Sequence, residues 1–271
     1  MSSILVLTPT LGNRKSLLRT IESVKEIGRD EVKHVIVCPQ QMIPHLSRLS
    51  EGVEFLAEPE GKKGIYAALN HGFHTYGKNY DYLTFINDDD YWLPDFRQLI
   101  DAVVQDDSLG MVYAKTIYID AVGKVIGKQA SSGQFDHFLD LFQRGIILLT
   151  QQATLVKSSH FFEIGGFDET YKLVADTKFW IQMSLLKPYF RYFRTYAACY
   201  TLQKSQLSND KTTQQIEHRR LLLEFPVYSS IGIRMQEVIY RLSNLTIYVE
   251  RVWNSLFWKQ AYLSAKKYQR L

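Results

Sequence analysis

The sequence predicts an α/β fold: a mixed central sheet flanked by helices and followed by a helical C-terminal extension. Three observations lead there. In the first part of the chain, β-branched apolar runs alternate with segments of helical apolar spacing, the pattern of parallel strands covered on both faces. One of those runs ends in three consecutive aspartates, Asp88, Asp89 and Asp90, and open α/β sheets bind ligands beyond the carboxyl ends of their strands. Residues 231–271 hold seven basic side chains against two acidic ones, a charge of +5, while the other 230 residues sum to −1, so the chain divides by charge.

The elements follow in order. "ILVLTP" is a short apolar strand, "TLGNR" a turn, and Leu17, Leu18, Ile21, Val24 and Ile27 recur at helical spacing. "HVIVCP" at 34–39 and "VEFLAEP" at 53–59 are strands closed by proline, and Ile65, Ala68, Leu69 and Phe73 mark a helical face before the strand "YLTFI". A helix is expected after Pro94, then a hairpin turned at Gly123 and a helical "FDHFLDLF". A strand-like "GIILLTQQATLV" and a short helix ended by Gly165 and Gly166 come next. A helix through Phe179, Trp180, Met183 and Leu186 and an aromatic strand, "YFRYFRTYAACYTL", complete the domain.

With 271 residues, 46% hydrophobic and 22% charged, the chain buries one sizeable core or a core with an appendage. There is no run of about 18 apolar residues, and "MSSILVLTPTLG" lacks a basic leader segment, so the expected location is the cytoplasm. Cys38 and Cys199 lie in apolar runs without CxxC spacing, as two reduced core thiols would. No nucleic-acid surface is legible in the first 230 residues.

Adjacent carboxylates repel, so the aspartate cluster needs a cation or a set of donors. Its plainer interpretation is a solvated loop capping the next helix. Its place after a strand favours instead a hard cation, Mg²⁺ or Mn²⁺, completed by phosphate oxygens and water. The Asp-x-Asp phosphohydrolase pattern is not met, since Tyr91 stands where a threonine belongs. "TPTLGNRKS" is neither a P-loop nor a dinucleotide fingerprint, and it lacks the glycine-rich basic first loop of sugar-phosphate nucleotidyltransferases.

Four segments in order, "LTPTLGNRKSLLRTIESV", "EPEGKKGIYAALNHGF", "FINDDDYWLPDF" and "FFEIGGFDETYKLVADTKFW", resemble the family 2 glycosyltransferases, inverting enzymes of the GT-A fold, and most of all the bacterial members that assemble surface polysaccharides. The resemblance covers about residues 1–205. It implies a transferase domain there, with a nucleotide-sugar half (1–92) and an acceptor half (93–205), and leaves 206–271 as a basic, amphipathic helical extension. It further implies that Thr8, Pro9, Thr10, Asn13 and Arg14 meet the nucleotide, that Tyr66 and Asn70 border the donor, and that Asn87, Asp88 and Asp89 form the DxD-type motif. Asp89, supported by Asp90, would then ligate Mn²⁺ or Mg²⁺. The turn Gly165–Glu169 would frame the acceptor, and Asp176 in "LVADTKFW" would be the catalytic base, although an aspartate in that place also serves as an N-cap. The chemistry suits these types: a metal stabilises a leaving diphosphate, and a carboxylate takes the proton of the incoming hydroxyl.

Several positions depart from the family pattern. The acidic residues that often follow the second strand are replaced by "CPQQ", which leaves Gln40 or Gln41 to recognise the base and UDP or dTDP open as donor nucleotide. Ala67 stands where relatives have aspartate, and "YTLQKSQLSND" lacks a histidine many members carry. The expected activity is transfer of a sugar to a glycan or lipid-linked acceptor. The alternatives are a catalytically silent binding subunit and a nucleotidyltransferase.

In the extension, Ile231, Met235, Val238, Leu242, Leu245, Val249, Val252 and Leu256 alternate spacings of four and three. Such a seam predicts a helix packed on its own domain or on a second copy in a homodimer. Trp253, Phe257, Trp258, Tyr262 and Tyr268 interleave with Lys259, Lys266, Lys267 and Arg270. That composition favours peripheral contact with an anionic membrane at its inner face.

Overall fold

The structure, a computed structural model, describes residues 2–48, 52–203, 210–227 and 231–257, with side chains as far as Trp253 in the last segment. Strand β1 (Ile4–Pro9) is buried throughout: Leu5 and Leu7 enter one core, Ile4 and Val6 the other, as side-chain alternation requires. Helix α1 (Leu17–Gly28) returns with Leu17, Ile21, Val24 and Ile27 inward, and β2 (Val32–Cys38) lies parallel to β1. After the one-turn helix α2 (Ile43–Leu46), β3 (Glu54–Ala57) pairs parallel with β2. Helix α3 (Ile65–Tyr76) then carries the chain to β4 (Tyr82–Phe85), parallel to β1 on its other side. Strand order therefore reverses at β1, and the crevice between the ends of β1 and β4 is the place where such sheets bind ligands.

Helix α3 lies close on the sheet: a Cβ at Gly72 would stand 2.6 Å from Leu7 Cδ1 and 3.2 Å from Val37 Cγ2. Both neighbours are fully buried, so the approach depends on the missing side chain.

Beyond β4 come β5 (Tyr91–Trp92), α4 (Arg97–Gln105) and a hairpin of β6 (Met111–Asp120) and β7 (Val125–Lys128). The hairpin turns at Gly123, φ 84°, as the sequence predicts. Next are α5 (Phe138–Gln143), β8 (Thr154–Lys157), α6 (Ser158–Ile164), α7 (Ala175–Leu186) and the long β9 (Phe190–Leu202). The nine strands among the described residues form one mixed sheet in the order β3-β2-β1-β4-β8-β6-β9-β5, with β7 paired to β6. One expectation is corrected: of "GIILLTQQATLV" only the last three residues, Thr154, Leu155 and Val156, are strand, opening β8. Ile146, Leu148 and Leu149 are buried on irregular backbone, and the turn Gln151–Ala153 points Gln152 at the aspartate loop. Both cysteines are buried thiols.

The C-terminal helices α8 (Lys211–Glu224), α9 (Ile231–Ser243) and α10 (Leu245–Phe257) share the larger core through Leu221, Tyr240 and Ile247. The predicted seam is not the face that packs on the domain. Ile231, Met235, Val238, Leu242, Leu245, Val249 and Val252 are 54 to 88% exposed, while Ile233, Tyr240, Asn244, Ile247 and Arg251 are buried. The second stripe prevails because it carries polar anchors for the chain at 128–131. Tyr240 Oη donates to Ala130 O at 3.0 Å, Asn244 Oδ1 accepts from Ser131 N at 3.0 Å, and Arg251 Nη2 donates to Lys128 O at 2.8 Å. Leu256 and Phe257 have no described side chain, and Trp258, Lys259, Tyr262, Lys266, Lys267, Tyr268 and Arg270 lie outside the described residues. Among the described residues no helix is long and apolar enough to cross a membrane.

Gly72→Val is expected to lower unfolding free energy by about 1–3 kcal/mol through overpacking. Val238→Ser on the exposed stripe should change it by less than about 0.5 kcal/mol. Urea denaturation of the two variants measures both.

Candidate functional site

The crevice at the ends of β1 and β4 is closed by charge and hydrogen bonding. Thr10, just past β1, donates its hydroxyl to Asp88 Oδ2 at 2.6 Å and accepts from Gly12 N at 2.9 Å. Arg14 forms an ion pair with Asp89 and approaches Asp88 Oδ1 at 3.5 Å. Its side chain remains about one-third exposed, whereas those of Asp88 and Asp89 are largely enclosed. Burial pushes the Asp88 carboxyl above the usual carboxylate range, against the opposing pull of Thr10 and Arg14. Thus two predicted nucleotide residues, Thr10 and Arg14, are brought together with Asp88 and Asp89, while Asn13 is exposed beside them in sequence.

Asp90 has a different job from the metal ligand expected of it. Its Oδ1 accepts from Thr201 N at 2.7 Å, and its Oδ2 accepts from Gln152 Nε2 at 2.7 Å and Asn87 Nδ2 at 3.2 Å. Both oxygens are taken by protein donors in the fully buried interior, so Asp90 and Asn87 brace the loop. Burial, and then the neighbouring Asp89 charge, push the Asp90 carboxyl well above its ordinary range. The backbone is braced too: Arg19 Nη2 donates to Asp89 O at 3.2 Å, Thr20 Oγ1 to Asp90 O at 2.6 Å, and Thr201 Oγ1 to Asp89 O. Gln203 Nε2 reaches Asp89 Oδ2 at 3.3 Å. Sequence reasoning missed Arg19, Gln152, Thr201 and Gln203, which come from three elements distant in the chain and belong to no short motif.

Thr8 and Pro9 are buried at the end of β1. The Thr8 hydroxyl lies 2.9 Å from Nε2 of His34, whose pKa burial lowers to about 3. Asn70 is likewise occupied. Its Nδ2 donates to Phe167 O at 2.8 Å and Glu169 Oε1 at 3.0 Å, and its Oδ1 accepts from Phe167 N at 2.9 Å. It therefore clamps the Gly165–Glu169 turn, in which Gly165 and Gly166 take φ of 90° and 81°. A side chain at Gly166 would be strained there and would meet Asn70 Oδ1 at 2.8 Å.

Asp176 stands in the first turn of α7, where the helix dipole favours negative charge. Its Oδ1 accepts from Thr177 N at 2.8 Å and from Tyr66 Oη at 3.2 Å, and Tyr66 also donates to Leu173 O at 3.0 Å. Burial raises the Asp176 carboxyl above its ordinary range, while these hydrogen bonds oppose the rise. The backbone leading to it is held by Glu217 of α8, which accepts from the amides of Lys172 (2.7 Å), Leu173 (2.9 Å) and Val174 (3.2 Å). Lys178 pairs with both Asp168 and Glu224, joining the same helices. Glu217 escaped notice in the sequence because a glutamate in the polar stretch "KTTQQIEHRRLLLE" carries no pattern that marks it as buried.

A cavity of about 650 Å³ opens beside Asp176 and Thr177, walled by α8 and by Tyr240, Arg241 and Tyr248 of α9 and α10. Gln151 and Leu202 also line it, and their chain neighbours Gln152 and Thr201 hold Asp90. A second cavity, about 370 Å³, lies against the first loop and is lined by Asn13, Arg14, His45 and Leu46 among others. Gln40 and Gln41 are exposed and line neither cavity.

Among the described residues no group of three or more His, Cys, Asp or Glu converges to hold an ion alone. The donor set at Asp88 and Asp89, two enclosed carboxylates beside an arginine, fits a hard cation that brings phosphate and water oxygens with it, as Mg²⁺ or Mn²⁺ does.

A family model described as glycosyl transferase family 2 matches residues 5–164, more than half of the chain. Two uncharacterized glycosyltransferases of Mycobacterium tuberculosis are 25% identical to it over 192 residues, 68% of this chain and 70% of theirs. The fold is similar to S. aureus TarS. The 1–349 fragment in complex with UDP-GlcNAc gives a TM-score of 0.58 at 12% identity, covering 77% of this chain and 61% of that one. The same fragment in complex with UDP gives 0.56 at 13% identity, covering 92% and 82%. The chain thus spans about three fifths of the TarS fragment in the first comparison, and the likeness is one of GT-A architecture.

Glu217→Ala would leave the amides of residues 172–174 without their acceptor. A loss of about 1–3 kcal/mol in unfolding free energy is expected, measurable by chemical denaturation.

Proposed function

The chain belongs to glycosyl transferase family 2, and on that premise we propose that it is a metal-dependent, inverting glycosyltransferase that moves a sugar from a UDP- or dTDP-sugar to a hydroxyl of a glycan or lipid-linked acceptor. The observation that carries this reading is the junction of Thr10 and Arg14 with Asp88 and Asp89 at the switch point of the sheet. Adjacent carboxylates and a half-free guanidinium are what a diphosphate with a divalent cation would exchange with. Asp88 and Asp89 would hold Mn²⁺ or Mg²⁺, which when bound supplies charge neutralisation for the departing diphosphate. Arg14 adds a second cation for the same oxygens.

Asp176 is the base of this reading. The acceptor hydroxyl enters the cavity beside it and gives up its proton to the carboxylate, and the acceptor oxygen bonds to the anomeric carbon. The bond from that carbon to the diphosphate oxygen breaks with its electron pair on the leaving nucleoside diphosphate, inverting the centre. Tyr66 and Thr177 orient the carboxylate, and Glu217 fixes the backbone before it. The roles of Tyr66 and Asn70 are thus on the acceptor side, holding the loop that carries the base. Surface-polysaccharide assembly at the inner face of a bacterial membrane is the setting that fits such a donor and acceptor.

Calorimetric titration with UDP and with dTDP, with and without Mn²⁺, tests the donor site: metal-dependent binding is expected, and Asp89→Ala should abolish its metal dependence. Binding of neither nucleotide under any condition would favour a silent subunit. Asp176→Asn should keep nucleotide affinity and lower transfer by about 10²–10⁴-fold. Because burial raises the Asp176 pKa, the base protonates at a higher pH than an exposed aspartate. Transfer should therefore fall, as pH is lowered, from a point above the ordinary carboxylate range near 4, an acid limb readable in a kcat profile.

A further inference from the structure

The cavity beside Asp176 carries a surplus of positive charge that proton transfer does not use. Three arginines from separate elements line it: Arg144 at the end of α5, Arg219 on α8 and Arg241 on α9. Asp176 is the one carboxylate among the described lining residues. Glu237, outside the lining, accepts from Arg144 Nε and from Arg241 Nη2, both at 2.7 Å, so two guanidiniums share a single carboxylate. Arg219 is exposed, and its guanidinium has no partner among the described residues. With Glu237 and Asp176 both ionised, the three arginines still leave one positive charge at the cavity. His218 lines the same space, but burial lowers its pKa, so it stays neutral at pH 7 and adds none.

The paired arginines remain accessible: the Arg144 side chain is 43% exposed and that of Arg241 54%. Arg144 gives Glu237 only its Nε, which leaves its two terminal nitrogens without a bond to a described residue. A guanidinium fork of this kind matches the paired oxygens of a carboxylate or phosphate. The rest of the wall suits a sugar ring. Tyr118, Trp180, Tyr200, Tyr240 and Tyr248 supply aromatic surface, and Gln214 and Gln215 supply amides for hydroxyl groups. A neutral glycan would leave the surplus charge unmet.

We propose that the Asp176 cavity takes an anionic saccharide, whose carboxylate or phosphate pairs with Arg144, Arg219 and Arg241 while its ring lies among the aromatic side chains. Binding of such a sugar stands on the cavity lining alone. Its role as the acceptor, with a hydroxyl at Asp176, rests on the transferase reading.

The test is calorimetric titration of the full chain with glucuronic acid, glucose 6-phosphate, inorganic phosphate and glucose. At least one charged sugar should bind about tenfold or more tightly than glucose, and added salt should weaken it. Preference for glucuronic acid identifies a carboxylate ligand, and preference for glucose 6-phosphate a phosphate ligand. The double variant Arg219→Gln, Arg241→Gln should remove most of that preference. Glu237→Gln should act in the opposite direction and tighten the charged sugar by about two- to fivefold, because it frees two guanidiniums from their shared carboxylate. A purely structural role for these side chains would not produce that gain. Should the double variant fail to fold, Arg219→Gln alone replaces it. Charged sugars that bind no better than glucose, or folded variants that leave the preference unchanged, overturn the proposal. Inorganic phosphate that binds as tightly as the charged sugars reduces the site to a bare anion site and overturns it too. So does an equal loss of UDP affinity in the double variant, which assigns the arginines to the donor diphosphate. Charged-sugar binding in a chain that binds no nucleotide would keep the site and remove its acceptor role. Nucleotide binding without charged-sugar binding would remove the site and keep the transferase reading.

Discussion

Three consecutive carboxylates at the end of a buried strand are the constraint around which this molecule is arranged. Each unscreened pair would repel strongly in a medium less polarisable than water, and the chain resolves the three in different ways. Asp88 takes a hydroxyl and the edge of a guanidinium, Asp89 the guanidinium itself, and Asp90 three neutral donors in the interior. Only the first two meet Thr10 and Arg14 at the crevice. The third is a buried acid that would be costly without donors, and Asn87, Gln152 and Thr201 supply them, so the loop cannot shift without unpairing them.

The same logic organises the turn ahead of α7. Phe167 sits among Phe73, Phe85, Phe161 and Phe179, with ring centroids 5.2 to 6.5 Å away, and Asn70 fixes its backbone on both sides. This gives the turn a rigid apolar root while its continuation carries Asp176 to the cavity. Under the proposed transferase reading, that rigidity orients the Asp176 carboxylate toward the acceptor hydroxyl.

Much of this was legible in the sequence, and the limits have physical causes. Alternation of apolar runs and helical spacing located the strands and helices of the first half, and the Gly123 hairpin followed from its turn residue. The acidic loop was found because three adjacent carboxylates are chemically unusual, and the aspartate opening α7 only through the family resemblance, since an aspartate in that place also serves as an N-cap. What sequence could not tell was the direction of hydrogen bonds. Thr8, Asn70 and Asp90 occupy motif positions, yet their polar atoms turn inward to His34, Phe167 and Thr201. Periodicity failed in a different way on α9 and α10. Ile233, Tyr240 and Ile247 repeat every seven residues just as the outer seam does, and no period says which of two stripes meets the domain; the polar anchors Asn244 and Arg251 decided it.

The grip of Glu217 on residues 172–174 also sets a schedule. A chain emerging from the ribosome has its aspartate loop and its GGFDE turn long before it has α8, and Thr201 is needed first to hold Asp90. The aspartate loop is therefore secured late and Asp176 later still, when Glu217 arrives to fix the amides ahead of it. Nascent chains that end near residue 205 would carry all four segments of the family resemblance and still lack the support ahead of Asp176. On this scaffold the fold is recognisable well before the enzyme is complete.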